Sequence, residues 1–565
     1  HFHTDHPASV VFGTAYSLVA FRAAYALNVM LTDCLVLAPL IILGVEQLVK
    51  EKKAALYYVT LATAILSNYY ISIMICIFLV LYFLILLLEQ REGKIGACVR
   101  FAWYSLLAGG TGAVWLIPEA IILGESGSQG ISFPSAVEWY FNLIAAPGRH
   151  CIFVETYTGR DHWPNIYTGV FTLFLILLYL TNRGISWTKK LPRVLLLSFM
   201  ALSFANNMLY FICHGLHFPD SLPCRQSFLY SFLLLVFCFD TFLHLKENRW
   251  YHVLVALVLD GAFLYAAYRW SDSELIGSDS FFTTAVFIVV YAVLLLVWYG
   301  GTAKVRDYVF LITSIVVITE LTINFDMTGL DTVSRTSYVK DNQDVEDLVW
   351  NIKSDTFYRV EKTDRKTKND GAWMNFPSVS LFSSTANASL SDFFRRMGCE
   401  SSTNAYSITG STPLVDSLMS VRYGIYGDQQ PADGLRDLSA RKGSMWLYEN
   451  KFTLPVAFML PSDVEGNWIL DSGNPAHVQN DLCDVLDTEH VLLPNESVTE
   501  GRKLTFTAQE TGDYYVYVTN KRVKEVTAVI GEQTESFDNV ERGYLKALGR
   551  INKEGGRRLE KGNDG

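Results

Sequence analysis

About ten apolar stretches, each near the length that crosses a bilayer, occupy the first 325 positions and constrain the fold more than any motif does. A helix rises about 1.5 Å per residue, so roughly 30 Å of hydrocarbon takes about 20 residues with all backbone polar groups paired internally. Candidate spans lie at about 9–27, 30–48, 70–89, 101–123, 166–182, 194–213, 227–245, 250–270, 280–299 and 307–325. Trp250 and Trp270 bracket one of them, as aromatic anchors at two interfaces do. Charged residues make up only 18% of the chain, against roughly 25% in soluble proteins. Beyond Phe325 charges, Gly, Ser and Asn become ordinary. The expectation is a membrane domain over 1–325 and a soluble domain over 326–565.

Lys and Arg set the orientation. Lys50, Lys52 and Lys53, then Arg91, Lys94 and Arg100, then Arg183, Lys189, Lys190 and Arg193, then Lys246 and Arg249, then Lys304 and Arg306 fall in one set of loops. The other set is poor in them, which makes the first set cytoplasmic. Both ends of the run from Ala54 to Leu88 are basic, so it must cross an even number of times. At about 52 Å as one helix it is too long for a single span. A short helix at about 54–66, a break at "SNYY" and a full descending helix resolve this. The loop 124–165, the stretch "HGLHFPDSLPCRQ", "SDSELIGSD" and the soluble domain then share the outer face.

The formal charge of −10 comes with no basic patch, which argues against a nucleic-acid partner. The nine cysteines show no paired metal-type spacing; Cys151 and Cys224 are a candidate bridge. The first residue is not Met, and the chain reads as an internal fragment.

Strand signals dominate the tail. "KLTFTAQETGDYYVYVTN" alternates apolar and polar residues and predicts an antiparallel pair around its Gly-Asp; "FYRVE", "SMWLYE" and "LPVAFML" predict further strands. Helices are expected near Leu390–Met397 and Ala476–Leu486. The whole predicts an α+β domain containing a β-sandwich, without GxSxG, HExxH or P-loop patterns.

The costly polar groups gather at the predicted outer face. Arg225 immediately precedes a span, where a guanidinium can hold a phosphate; His214 and His217 add donors, and Asp220 can hold Arg225 in place. The alternative is a snorkelling arginine with histidines capping a helix end. A His-x-x-His metal site lacks a carboxylate at ligand spacing, so no metal ligands are assigned. Arg149, His150, Arg160, Asp161 and His162 are further outer-face candidates, and Asp33 is a carboxylate at the start of a span. Glu119 and Asp260 are ionisable groups inside apolar runs.

"VMLTDCLVLAPLIILGVEQLVKEKK", "ILSNYYISIMICIFLVLYFLI", "PNIYTGVFTLFLILLYL", "HGLHFPDSLPCRQSFLYSFLLL" and "STPLVDSLMSVRYGIY" together resemble the bacterial YfhO family of membrane proteins, from about Phe12 to Tyr426. His214, His217, Pro219, Pro223 and Arg225 match the family's usual run, whereas Leu216 replaces Phe, Cys224 replaces Tyr, and Gln226 takes a usually aromatic or small position. The resemblance implies a class-C glycosyltransferase-like (GT-C) fold and transfer of a sugar from a polyprenyl-phosphate donor in the membrane to a cell-envelope polymer such as lipoteichoic acid. It implies Arg225, His217 and His214 as donor-phosphate ligands. Asn68, Tyr69, Arg160, Asp161 and His162 become cavity candidates, and Asp33 a weak catalytic candidate. The usual catalytic aspartate of the class lies in a first outer loop that would precede His1. A divalent metal stays open as cofactor. A lipid-linked sugar flippase or transporter, favoured by Asp260 and the "SNYY" break, and a non-catalytic envelope scaffold are the competing readings.

Overall fold

The computed structural model describes residues 5–90, 92–127, 132–159, 161–219, 221–271, 276–329, 333–430, 434–500, 503–530, 533–538, 540–553 and 556–561. It divides into two compact units, His1–Pro118 with Ile131–Thr332, and Glu119–Gly130 with Val333–Gly565.

Among the described residues the first unit holds thirteen α-helices: α1 (Ala8–Ser17), α2 (Ala20–Tyr25), α3 (Val29–Lys50), α4 (Ala55–Ser67), α5 (Tyr69–Glu89), α6 (Lys94–Gly124, whose end groups with the second unit), α7 (Val170–Thr181), α8 (Trp187–Ala205), α9 (Asn207–Cys213), α10 (Ser227–Leu243), α11 (Trp250–Trp270), α12 (Ser278–Gly300) and α13 (Ala303–Thr328). Among the described residues six of these, α3, α5, α6, α11, α12 and α13, are long and apolar enough to cross a membrane, and α4, α7 and α10 are shorter apolar helices. The short helix, the break and the full helix expected around "SNYY" are α4, Asn68 and α5.

Three expected spans are interrupted. The stretch 9–27 is split where Val19 turns extended and the Ala20 amide donates to the Tyr167 carbonyl at 2.9 Å instead of continuing the helix. The stretch 194–213 breaks at Asn206, which is extended and caps α9. In 166–182 the helix starts only at Val170, because Gly169 has φ +102 and the buried Glu320 carboxylate takes the Val170 amide at 2.5 Å. Hydropathy registers none of these breaks: the Tyr167 carbonyl and Glu320 act from elsewhere in the chain, and Asn206 acts through its own side chain.

Polar clusters cap opposite ends of α5. At its C-terminal end Arg193 pairs with Glu89 at 3.2 Å and Asp240 at 3.0 Å, and the Tyr82 hydroxyl donates to Glu46 at 2.6 Å. The other end, about 30 Å away along twenty residues, is where the candidate site forms.

In the second unit β1 (Arg359–Lys362) is separated by β2 (Leu381–Phe382), β3 (Ser401–Ser402) and β4 (Ala405–Tyr406) from β5 (Val421–Tyr426), β6 (Arg436–Lys442) and β7 (Met445–Asn450). The sheet β1-β5-β7-β6 has a parallel β1–β5 pair and buries Val360, Tyr423, Ile425 and Leu447 against Val345 and Leu348. Helices Ala388–Arg396 and Pro475–Val485 stand where the sequence predicts helices, and pack Phe394, Met397 and Val478 with Tyr406 of β4.

The tail adds β8 (Ser497–Glu500), β9 (Lys503–Thr507), β10 (Gly512–Val516), β11 (Glu525–Ile530), β12 (Gln533–Asp538), β13 (Lys546–Ile551) and β14 (Gly556–Lys561). The expected hairpin does not form. β9 joins the five-stranded sheet β12-β11-β14-β9-β8, while β10 pairs with β13 in a separate two-stranded sheet. Gly512 and Asp513 lie inside β10. The crossing sets Phe506 of β9 against Tyr514 of β10, ring centroids 5.6 Å apart, so that the two sheets close one apolar core between them. A hairpin would have put both apolar faces on one side with nothing to cover them. "LPVAFML" forms no strand: Pro455 removes a ladder donor, and Val456 and Met459 are exposed. The Cys151–Cys224 bridge is absent too. All nine cysteines are free, and the Cys224 thiol donates to the His162 carbonyl at 3.3 Å.

Candidate functional site

Two helix breaks make the site, and each uses the same device. Asn68 accepts from the Ile71 amide at 3.0 Å and starts α5; Asn206 accepts from the Leu209 amide at 3.1 Å and starts α9. An asparagine outside the helix satisfies an amide that the first turn leaves orphaned. Two residues past Asn68 stands Tyr70, and four past Asn206 stands Tyr210. Sequence reasoning named Tyr69 and overlooked both.

α9 ends at Cys213, and the chain then folds back through a tight turn. Gly215 has φ +83, which suits glycine alone, while Leu216, Leu222 and Cys224 hold φ of 62, 59 and 54. Such left-handed conformations cost roughly 1–2 kcal/mol each and persist only where the surroundings impose them. Here those surroundings are specific: Cys224 N donates to the Tyr210 hydroxyl at 3.0 Å, the Tyr25 hydroxyl donates to the Pro223 carbonyl, and Leu222 N donates to the Thr158 carbonyl at 3.0 Å.

The turn brings His214, His217 and Arg225 onto Tyr70. His214 is fully buried, its Nδ1 2.6 Å from the Tyr70 hydroxyl, and its Nε2 has no partner among the described residues. Burial, together with Arg225, His217 and His162 nearby, holds the His214 imidazole well below the usual histidine range, so it is neutral at pH 7. The His217 ring lies 6.2 Å from that of Tyr70. Arg225 sits over the Tyr70 ring at 5.2 Å; its Nε donates to the Leu222 carbonyl at 3.0 Å and its Nη2 to the Ser221 carbonyl at 3.1 Å. A guanidinium has five N–H donors, so three are left without a partner among the described residues. Among the described residues no carboxylate pairs with it.

Aromatic rings continue the wall. Tyr210 stacks on His214 at 5.1 Å, His162 meets Tyr210 edge-on at 4.7 Å, and Tyr140 stacks on His162 at 3.6 Å. His162 therefore belongs to the cluster, and burial lowers its basicity.

The remaining candidates stand apart. Asp33, exposed, accepts from Ser67 at 2.6 Å, and Asn68 also donates to the Met30 carbonyl at 3.1 Å, so these two tie α3 to the break. Tyr69 is half-buried beside Tyr70. Asp161 accepts from the Tyr157 hydroxyl at 2.8 Å and is spent within its own loop. Arg160 and Asp220 lie outside the described residues. Arg149 is a buried strut: it donates to the Pro164 carbonyl and to Asn165 Oδ1, both at 3.0 Å, and burial pushes its guanidinium down to about 10. Among the described residues no three His, Cys, Asp or Glu side chains are grouped as a metal ion requires, so the residues present do not fit the metal left open above. A separate cavity of about 450 Å³, lined by Phe12, Phe174, Phe242 and Phe310, contains none of the candidates.

The sequence profile of the bacterial membrane protein YfhO matches residues 1–491. The chain belongs to the YfhO family. No curated protein sequence matches this YfhO chain. Among solved structures it is similar to the arabinofuranosyltransferase AftD from Mycobacteria, determined by cryo-electron microscopy, with 10% identity and a TM-score of 0.39 over 98% of this chain and 49% of that one. The YfhO chain thus spans about half the length of that enzyme.

Proposed function

We propose that this YfhO chain belongs to an integral-membrane glycosyltransferase of the GT-C type, which moves a sugar from a polyprenyl-phosphate donor to a cell-envelope polymer such as lipoteichoic acid. The site, the loop 124–165 and the C-terminal unit face away from the cytosol on this reading, in accord with the Lys and Arg distribution. The supporting observation is Arg225: a cation on an aromatic platform, carrying three uncommitted donors and no carboxylate among the described residues.

An acceptor hydroxyl gives its proton to a carboxylate base and attacks the anomeric carbon while the bond to the lipid phosphate breaks, and the electron pair leaves on the phosphate oxygen. Arg225 stabilises that charge, and the neutral imidazole of His214 adds a hydrogen bond through Nε2 when Nδ1 accepts from Tyr70. The left-handed turn holds Arg225 in place before substrate arrives, while the buried His214 Nε2 must be uncovered for the phosphate to reach it. Asp260, buried within α11 with Oδ2 unpartnered among the described residues, is what favours the flippase or transporter reading. Against it, Asn68 heads α5 at its extreme end, whereas a transport site needs a break at mid-membrane.

The test is Arg225→Ala in cells, with protein abundance followed in parallel. Sugar addition should be abolished at unchanged abundance; wild-type glycosylation would remove the donor-phosphate role.

A further inference from the structure

We propose that the hollow beside His162 is a saccharide subsite that takes one uncharged sugar ring, next to the place where Arg225 would hold phosphate. The inference deepens the glycosyltransferase reading and rests on it for the origin of the sugar, but its geometry stands independently.

The hollow measures about 360 Å³, at the small end of ligand sites, and Glu138, Tyr140, His162, Asn207 and Phe218 line it. It is built by a clamp. Asn207 N donates to the Glu138 carbonyl at 3.1 Å, Asn207 Oδ1 accepts from Glu138 N at 3.0 Å, and Asn207 Nδ2 donates to the Ala136 carbonyl at 2.8 Å. Tyr140 N donates to the Ala205 carbonyl at 2.8 Å, and Trp139 pairs with Asn206 as an antiparallel bridge. The interruption between α8 and α9 thus frees backbone groups that hold the segment 136–140 in register. That places Glu138 and Tyr140 on one wall.

The chemistry of the lining selects the ligand. Tyr140 and Phe218 offer apolar ring surface, which suits the C–H face of a sugar. Glu138 is exposed, and among the described residues nothing pairs with its carboxylate, leaving acceptor sites for ring hydroxyls. Among the described residues no Lys or Arg lines the hollow, so the only formal charge they bring to it at neutral pH is negative and a phosphate is disfavoured. Phosphate and sugar are thereby sorted between two neighbouring places, joined by the wall of rings from Tyr140 through His162 and Tyr210 to His214.

The test is saturation-transfer NMR on the detergent-purified chain with glucose, N-acetylglucosamine and glycerol phosphate as separate probes. Wild type should transfer saturation to the ring protons of at least one sugar, and Glu138→Gln should lower that signal by about tenfold, as loss of one charged acceptor does. Phe218→Leu should weaken it as well, and the thermal midpoints of both variants should match wild type. Arg225→Ala should leave the sugar signal intact. Equal sugar signals from wild type and Glu138→Gln, no signal from either sugar, or a glycerol phosphate signal that depends on Glu138 would each overturn the subsite. None of these would touch the donor-phosphate role, which stands or falls on the cellular Arg225→Ala result.

Discussion

The Tyr70 hydroxyl and His214 Nδ1 stand 2.6 Å apart, and the same phenol ring lies under the Arg225 guanidinium. One side chain at the head of α5 therefore orients both groups proposed to meet the leaving phosphate. Tyr70→Phe keeps the platform but leaves His214 without its bond. Loss of such a buried partner costs about 1–3 kcal/mol, and a barrier rise of about 2 kcal/mol corresponds to a roughly thirtyfold drop in sugar transfer. Tyr70→Ala should lose more, because the cation loses its seat as well. Transfer rates of the two variants, normalised to protein level, check this; equal activities for Phe and Tyr would show that His214 needs no such partner.

The asparagine caps carry a second expectation. Asn206→Ala should lower stability by about 1 kcal/mol and Asn68→Ala by a similar amount, the usual cost of losing a helix cap. Asn206→Asp, which keeps the acceptor, should recover most of the loss. Thermal unfolding in detergent measures all three. If the alanine variants melt with wild type, the breaks are held by something other than their caps.

Acid should weaken the fold through buried histidine. Burial pushes His150 down to about 4, and its Nε2 contacts the Tyr230 hydroxyl at 3.2 Å. An unfolded chain takes up the proton near pH 6.5, which the folded one refuses. Stability is thus full above about 6.5 and falls as pH drops toward 4, by about 3 kcal/mol in order of magnitude. His214 is shifted in the same direction and adds to the loss. Melting points between pH 7.5 and 4.5 should decline, less steeply in His150→Asn; a flat profile in wild type would contradict the buried-imidazole assignment.

Sidedness can be read from thiols. Cys98 is exposed at the start of α6, beside Lys94 and Arg100, while Cys76 is half-buried and the other cysteines are buried. On intact protoplasts a membrane-impermeant maleimide should miss Cys98 and label it after permeabilisation. Ser135→Cys in the loop and Thr499→Cys in the tail should label without permeabilisation. The reverse pattern would place the Arg225 cluster on the cytosolic side and remove its donor.

Some of this architecture is legible one residue after another. Spans such as Trp250–Trp270 follow from hydropathy with aromatic ends, and the α4–α5 break follows from basic residues at both ends of a run that is too long. His214, His217 and Arg225 stand out because polar groups are costly beside apolar runs. Tyr70, Tyr210 and Tyr140 do not stand out, since an aromatic among apolar residues reads as core. The hairpin expected over 503–520 failed because alternation says which face is apolar and not which sheet will cover it.

The sequence by itself determined where chain can enter a bilayer and which positions carry charge, because hydration cost acts on each residue separately. Only the tertiary structure decided that Asn207 would clamp 136–140, that Glu320 would start α7 and that Tyr70 would serve both His214 and Arg225. Those are meetings between segments about 70 to 155 residues apart, and in a low-dielectric interior each is set by which partner satisfies a buried polar group.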